Sequence, residues 1–207
     1  NPIEAASGPV VKPTKDFSKV TVAADGTVTV NAGVMSVGQG HETVFSELAA
    51  ARLGVPPERV AFLMGDTDLL PKGRGNGGSG GSGTSTSALS FAVDDVVAKG
   101  KAVVAARLEA TPDQIEFCDG RFLVTGTNRG MSLAEAAIAA GGTLVGNGEF
   151  LPAAVTFPNG THICEVEIDP ETGEVFVLAY VACEDVGRVL NPMLVEGQIH
   201  GGVAQGL

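Results

Sequence analysis

The sequence predicts an α+β (mixed α/β) fold, and three observations carry that prediction. Short segments of alternating character end on Gly-containing turns, as in Val20–Val30 and in the paired runs His162–Asp169 and Glu174–Cys183. Segments of helical period lie between them, the longest from about Ser85 to Glu109. The two kinds follow one another without any internal repeat, the order expected of α+β or mixed α/β chains.

Each element has a local reason. Residues 1–16 are Pro-rich and polar and read as an extended arm ahead of one domain over 17–207, with a division into 17–110 and 111–207 as the alternative. Val20–Val30 reads as a hairpin turning on Asp25-Gly26, its second strand running on to about Val37 until Gly38-Gln39-Gly40 breaks it. A helix follows from about Glu42 to Leu53; Phe45, Leu48, Ala49 and Leu53 share one face, and Gly54 ends it. Pro56–Arg59 is a turn and Val60–Met64 a short buried strand. Residues 65–83 form a Gly-rich loop, far longer than the usual connection of about 6 residues. The long helix from Ser85 comes next, and Thr111-Pro112 opens a new unit. A small hairpin at Ile115–Val124 turns on Asp119-Gly120, and Ser132–Ala140 is a helix with Glu135 completing a capping box. Residues 141–160 read as a second Gly-rich loop. Pro170–Gly173 joins the two alternating strands, Asp185–Pro192 is a loop, and Leu194, Ile199, Val203 and Leu207 mark a last helix. The chain starts without Met and stops inside that helix, so a fragment truncated at both ends is expected.

Composition excludes several functions. The formal net charge is −11 and no basic run occurs, which argues against a nucleic-acid partner. There is no apolar run long enough for a membrane span and no signal-peptide pattern. Cys118, Cys164 and Cys183 are widely spaced, an odd count that fits neither a disulfide framework nor an iron–sulfur or zinc site, and the cytoplasm is the expected compartment. Cys183 reads as a small buried residue. His41, His162 and His200 show no ligand spacing and read as surface or site-lining residues, and Asp66-Thr67-Asp68 as an acidic turn.

The unusual figure is glycine: 29 of 207 residues, against a typical share of about 7%. Glycine and small residues gather before three helical segments, at Gly38-Gln39-Gly40, at Gly75–Gly83 and at Glu196–Gly202. Glycine lets a ligand meet the backbone, and amides at a helix N-terminus favour anions such as phosphate. A glutamine carboxamide donates and accepts together, which suits the edge of a heterocycle. The pattern is not a Walker loop, since no Gly-Lys-Ser/Thr follows, nor a dinucleotide-binding GxGxxG, since no βαβ unit with a later acidic residue fits. The residues point to a phosphate-bearing heterocyclic cofactor spread over several loops.

Five motifs in order, GQGHET (38–43), LGVPPERV (53–60), GDTDLLPKGRGNGGS (65–79), ICEVEIDPETGEV (163–175) and DVGRVLNPMLVEGQIHGGVAQGL (185–207), give a resemblance. The chain resembles the molybdenum-binding large subunit of the xanthine dehydrogenase, aldehyde oxidase and carbon monoxide dehydrogenase family, over nearly all of its length after residue 17. The resemblance implies molybdopterin with molybdenum, as the cytosine dinucleotide in bacterial members. It implies hydroxylation of an aldehyde or N-heterocycle, or oxidation of carbon monoxide, with water-derived oxygen. It places cofactor contacts at Gln39 and Gly40, at Gly78, Ser79, Gly80, Gly81 and Ser82, and at Gln198. It also implies iron–sulfur and flavin subunits or domains as partners, the rest of the large subunit as the opposite wall, and a small-molecule substrate. The general-base glutamate of the family falls past the last motif, so the resemblance implies no catalytic residue here, and a fragment inactive and without cofactor when alone. Many members carry Ser-Arg-Ser where this chain has Ser79-Gly80-Gly81, which removes a bidentate phosphate donor. That change motivates the competing reading of a non-catalytic domain of the same fold that has lost its cofactor; a simple phosphate- or nucleotide-binding module is the third.

Overall fold

A computed structural model describes residues 14–73, 75–77, 80–154 and 159–207. Most of the arm, together with Gly78 and Ser79 of the expected cofactor loop, therefore lies outside the described residues. The predicted first hairpin is strand β1 (Asp16–Ala23) and strand β2 (Val28–Ala32), paired antiparallel around Asp25-Gly26. Asp25 holds the turn by accepting from both the amide and the hydroxyl of Thr27. Helix α1 (His41–Leu53) leads to strand β3 (Val60–Met64), which pairs parallel to β2. Gly54 closes α1 in the left-handed region at φ 63°, a conformation glycine takes without strain.

Helix α2 (Gly81–Arg107) buries Ala88, Leu89, Ala92, Val93, Val96 and Val104, an i, i+3, i+4, i+7 stripe. Strands β4 (Ile115–Cys118), β5 (Arg121–Val124) and β6 (Gly130–Ser132) make a small antiparallel sheet. Its two-residue turn is Asp119-Gly120, with φ 46° and 72°, the positive pair that matches strand twist. Helix α3 (Leu133–Ala139) starts on the predicted capping box of Ser132 and Glu135. Strand β7 (Thr143–Phe150) then returns to pair with β1, completing a sheet of order β3-β2-β1-β7. Strands β8 (Asn159–Ile168) and β9 (Val175–Asp185) pair only with each other, and helix α4 (Pro192–Gly206) follows.

The core lies between the four-stranded sheet and helices α1 and α2. Val20, Val22, Val28 and Val30 from the sheet meet Phe45, Leu53, Leu89, Val93 and Val96. Beside it, Phe122 of β5 sits fully buried under α2 where Gly100 leaves room for its ring.

Several expectations are corrected. The second strand ends at Ala32 rather than Val37, because Gly33 is pressed against Asp16 and Gly73, and a Cβ there would lie 2.3 Å from the Asp16 Oδ1. Helix α2 starts at Gly81, four residues ahead of Ser85, so Gly81, Ser82 and Gly83 are its first turn rather than loop. Residues 143–150 are strand, not loop, and the short strand β6 was not foreseen. Strand β3 is an edge strand with only Val60 buried. Cys183, expected buried, is exposed, as are Cys118 and Cys164. Cys183 shares the open β8–β9 hairpin with Ile163, Val166, Phe176, Leu178 and Val181, all at least 46% exposed.

Candidate functional site

The first two glycine-rich segments of the sequence meet at His41. Gly40 heads α1 in the left-handed region, at φ 77°, and a Cβ on it would lie 2.7 Å from Leu194 of α4. Gly81 opens α2, and a Cβ on it would lie 2.9 Å from the Asn76 side chain and 3.3 Å from the His41 ring. The first and second segments are thus in contact through His41 and Gly81, and Gly40 meets Leu194, two residues ahead of the third segment, Glu196–Gly202, which lies inside α4 rather than before a helix. Asn191 fixes the start of α4 from both sides. Its oxygen accepts from the Leu194 amide, and its amide donates to Glu47 of α1.

Two helix N-termini with open amides meet at this point. Ser132 caps α3 and Asn191 caps α4, but α1 and α2 begin on Gly40 and Gly80 with no side-chain cap. The amides of Thr84 and Val44 are the first taken up within α2 and α1, by the carbonyls of Gly80 and Gly40. The first-turn amides ahead of them, including Gly81 and Ser82, keep the free donors and partial positive charge of a helix start. An anion placed there is favoured by about 0.3–1 kcal/mol per terminus at the surface.

The Met35 carbonyl ties the loops together. It accepts from Gln39 Nε2 at 3.2 Å and from the Asn76 side-chain amide. Gln39, expected to reach the cofactor, is turned back on its own loop, with its Oε1 also accepting from the Val37 amide at 2.6 Å. Gln198 lies exposed on α4, one helical turn beyond Leu194 and so on the same side of that helix. The apolar groove of α4, lined by Val189, Pro192, Val195 and Ile199, lies on another side of the helix.

His41, read from sequence as a surface or site-lining residue, is not at the surface. It is 7% exposed, packed against Phe45 with ring centroids 5.4 Å apart, and its Nδ1 has no hydrogen-bond partner among the described residues. A histidine next to a Gly-Gln-Gly turn carries no sequence signal of burial. Only the packing of α1 against α2 creates it. Burial holds its pKa below the ordinary histidine value, against the opposing pull of the Met35 carbonyl. A depressed folded value means that the unfolded chain binds the extra proton more readily. Stability from this group is therefore complete above the unfolded value of about 6.5 and is lost as pH falls through and below it. Urea titrations between pH 7 and pH 5.5 should show that loss, and His41→Phe should flatten it. An unchanged slope in that variant would count against a buried neutral ring.

Comparison with known proteins gives the family. Residues 3–207 match the family described as molybdopterin cofactor-binding domain. The chain is 34% identical over 198 residues to the gamma subunit of the 6-hydroxypseudooxynicotine dehydrogenase complex of Paenarthrobacter nicotinovorans, covering 91% of this chain and 25% of that protein. Among solved structures, the reconstituted CO dehydrogenase from Oligotropha carboxidovorans superposes with a TM-score of 0.82 at 31% identity, covering 90% of this chain and 24% of that one. Quinoline 2-oxidoreductase from Pseudomonas putida 86 gives 0.81 at 34% identity, covering 99% and 27%. The chain spans about a quarter of the length of these relatives. The match runs through all three glycine-rich segments, and the chain belongs to the molybdopterin cofactor-binding domain family.

Proposed function

We propose that the chain forms one wall of a molybdopterin site in a molybdenum hydroxylase. This oxidoreductase hydroxylates an aldehyde or N-heterocycle, or oxidises carbon monoxide, with oxygen derived from water. The observation that carries the reading is the meeting of two uncapped helix N-termini beside the buried His41 ring. Those groups fit the cofactor. Open amides suit its phosphates, and the glutamine carboxamides suit a heterocycle edge. When bound, the cofactor supplies the metal that lowers the pKa of water and passes electrons on.

This chain's part is to hold and orient. The amides of Gly81 and Ser82 donate to the phosphate tail, in the cytosine dinucleotide form, and Gly78, Ser79 and Gly80 are the further cofactor contacts of this segment. Gln39 and Gln198 offer their carboxamides to the cofactor. Gln39 first exchanges its bonds to Val37 and Met35 for that contact, a swap of like for like with little net cost. No catalytic residue is assigned within the chain. The base and the opposite wall belong to the rest of a protein of the relatives' length. The bare β8–β9 hairpin supports this, since contiguous apolar surface of that kind marks an interface. Iron–sulfur and flavin subunits or domains complete the electron path.

The test is metal and pterin analysis of the full-length protein, purified with its partner subunits from a host that makes molybdopterin. About one molybdenum and one pterin per protein are expected if the cofactor is carried as a stoichiometric group, with CMP released on acid hydrolysis. The 207-residue chain alone should hold neither and turn over no aldehyde. Full-length protein without molybdenum would return the assignment to a domain that has kept the fold and lost the group.

A further inference from the structure

We infer that one face of the β8–β9 hairpin, the face of Val166 and Val177, is a dry seam packed against an uncharged apolar surface of the same polypeptide, outside these 207 residues, and that the opposite face keeps water at Glu165 and Glu167. The inference rests on the reading of the chain as one part of a longer subunit, and no cofactor contact enters it.

The two faces follow from the register. Residues paired across an antiparallel ladder share a face, and neighbours along a strand alternate. Val166 lies opposite Val177 and Ile168 opposite Val175, so these four exposed side chains share one face. Glu165 lies opposite Ala179 and Glu167 opposite Phe176, on the other.

Charge separates the faces. Glu165 and Glu167 have no ion-pair partner among the described residues, and no Lys or Arg occurs between Asn159 and Asp185. An apolar cover there would bury two carboxylates without a cation, which is costly. The Val166 face holds one acid, Glu184, and it is already matched. The Glu184 carboxylate accepts from His162 Nε2 at 2.5 Å, and His162 Nδ1 is hydrogen-bonded to the Tyr180 hydroxyl at 2.8 Å. Gly160, paired with Glu184, makes room for this: a Cβ on it would lie 2.4 Å from Glu184 Oε2. Imidazole, phenol and carboxylate each find a partner inside the hairpin, so the cover needs no charge of its own.

Stability selects the occupant. A lone two-stranded hairpin is marginal in water, and β8 and β9 pair only with each other among the described residues. The cover must be present whenever the domain is folded. A dissociable subunit or a second copy does not guarantee that. The rest of the same chain does, and these residues span about a quarter of the relatives' length.

The experiment uses the full-length protein with its subunits. Cys164 lies opposite Tyr180 on the Val166 face and is exposed in these 207 residues. Ala179→Cys puts a second thiol on the Glu165 face. N-ethylmaleimide labelling is followed peptide by peptide by mass spectrometry, each rate divided by that of the same thiol in urea. Cys164 is expected to react about 100-fold slower than in urea, as for a site that opens only by local unfolding, and the Ala179→Cys thiol at least about tenfold faster than Cys164. Equal normalised rates, whether both fast or both slow, would overturn the inference. Val166→Glu should speed Cys164 labelling at least about tenfold or prevent folding, while Val181→Glu, on the other face, should fold and leave the Cys164 rate unchanged. The reverse pattern, or no difference between the two, would overturn it. p-Benzoylphenylalanine in place of Ile168 then identifies the cover. A photo-cross-link within one polypeptide, to a peptide outside these 207 residues, is expected; a cross-link to another subunit or to a second copy, or none, would overturn the inference. Protein without molybdenum but with Cys164 protected would fault the functional reading alone. Molybdenum-loaded protein with Cys164 open would fault this inference alone.

Discussion

Replacing Gly148 with alanine is expected to lower the thermal midpoint of the domain by about 6–12 °C, equivalent to about 3 kcal/mol for a domain of this size. Gly148 lies in β7, where α2 crosses the sheet. A Cβ there would sit 1.9 Å from the Ala88 carbonyl oxygen and 2.4 Å from the Ala92 amide. Both are backbone atoms of a helix interior, so no side-chain rotation relieves the clash. Gly146, two residues earlier on the same face, would place its Cβ 2.1 Å from the Ala92 carbonyl. The sheet and the helix are therefore in backbone contact along β7, and relief requires lifting α2 away from Leu144 and Val20. Overpacking of this kind typically costs about 1–3 kcal/mol, and a rigid backbone on both sides puts Gly148→Ala at the upper end or beyond. The intervening Asn147→Ala is the control. Its side chain is exposed and points the other way, so a change within about 0.5 kcal/mol is expected. Circular dichroism melts of both variants decide the matter. A Gly148→Ala protein as stable as the control would mean that α2 does not lie this close to β7.

The same two glycines explain where the sequence misled. Gly141, Gly142, Gly146 and Gly148 dilute the alternation of Thr143–Phe150, and glycine is a poor strand former, so 141–160 reads as a loop. The reason for those glycines is a helix more than forty residues earlier in the chain, which no local pattern displays. Elements whose causes are local were legible: the Asp25-Gly26 and Asp119-Gly120 turns, the Ser132 and Glu135 box, and the Gly54 stop. The start of α2 was misplaced for an opposite reason. Gly81-Ser82-Gly83 has weak helix propensity, and the turn forms because Thr84 and Ser85 are pulled into the interior behind it, at 6% and 0% exposure.

For the site, the sequence located the segments but not their interior. Small residues ahead of the helices, and two glutamines, are visible in one dimension. That Gly40 meets Leu194, that Gly81 meets the His41 ring, and that one carbonyl gathers two side-chain donors are facts of packing. Cys183 shows the converse. Its alternating neighbours suggest a covered strand, and in this chain the hairpin faces are bare. Apolar alternation records that a surface is buried in the working protein, without saying by what.

Asp16 and Ser85 should show strong energetic coupling, because they fix where the Gly-rich loop and the start of α2 sit. Both are fully buried. Asp16 Oδ1 accepts from the Phe17 amide at 2.9 Å, and Oδ2 accepts from the Ser85 hydroxyl. This carboxyl lies under Gly33, whose backbone carries the Gly-rich loop: the Gly75 amide donates to the Gly33 carbonyl at 2.8 Å, and Gly73 rests directly on it. Ser85→Ala leaves Oδ2 buried with no donor from Ser85, and about 2 kcal/mol of stability should go with it. Asp16→Ala strands the Ser85 hydroxyl and the Phe17 amide and should cost at least as much. The double variant strands fewer groups than the two singles together, so its cost should fall short of their sum by about 1 kcal/mol or more. Limited proteolysis adds a readout specific to position: cleavage within 65–80 should accelerate in Ser85→Ala at a temperature where the core is still folded, since the loop is seated through Gly33 on the carboxyl that Ser85 holds. Additive losses, or unchanged cleavage of that segment, would mean that the loop is carried by the Gly33–Gly75 contact alone and that Asp16 is a buried polar residue without a part in shaping the site.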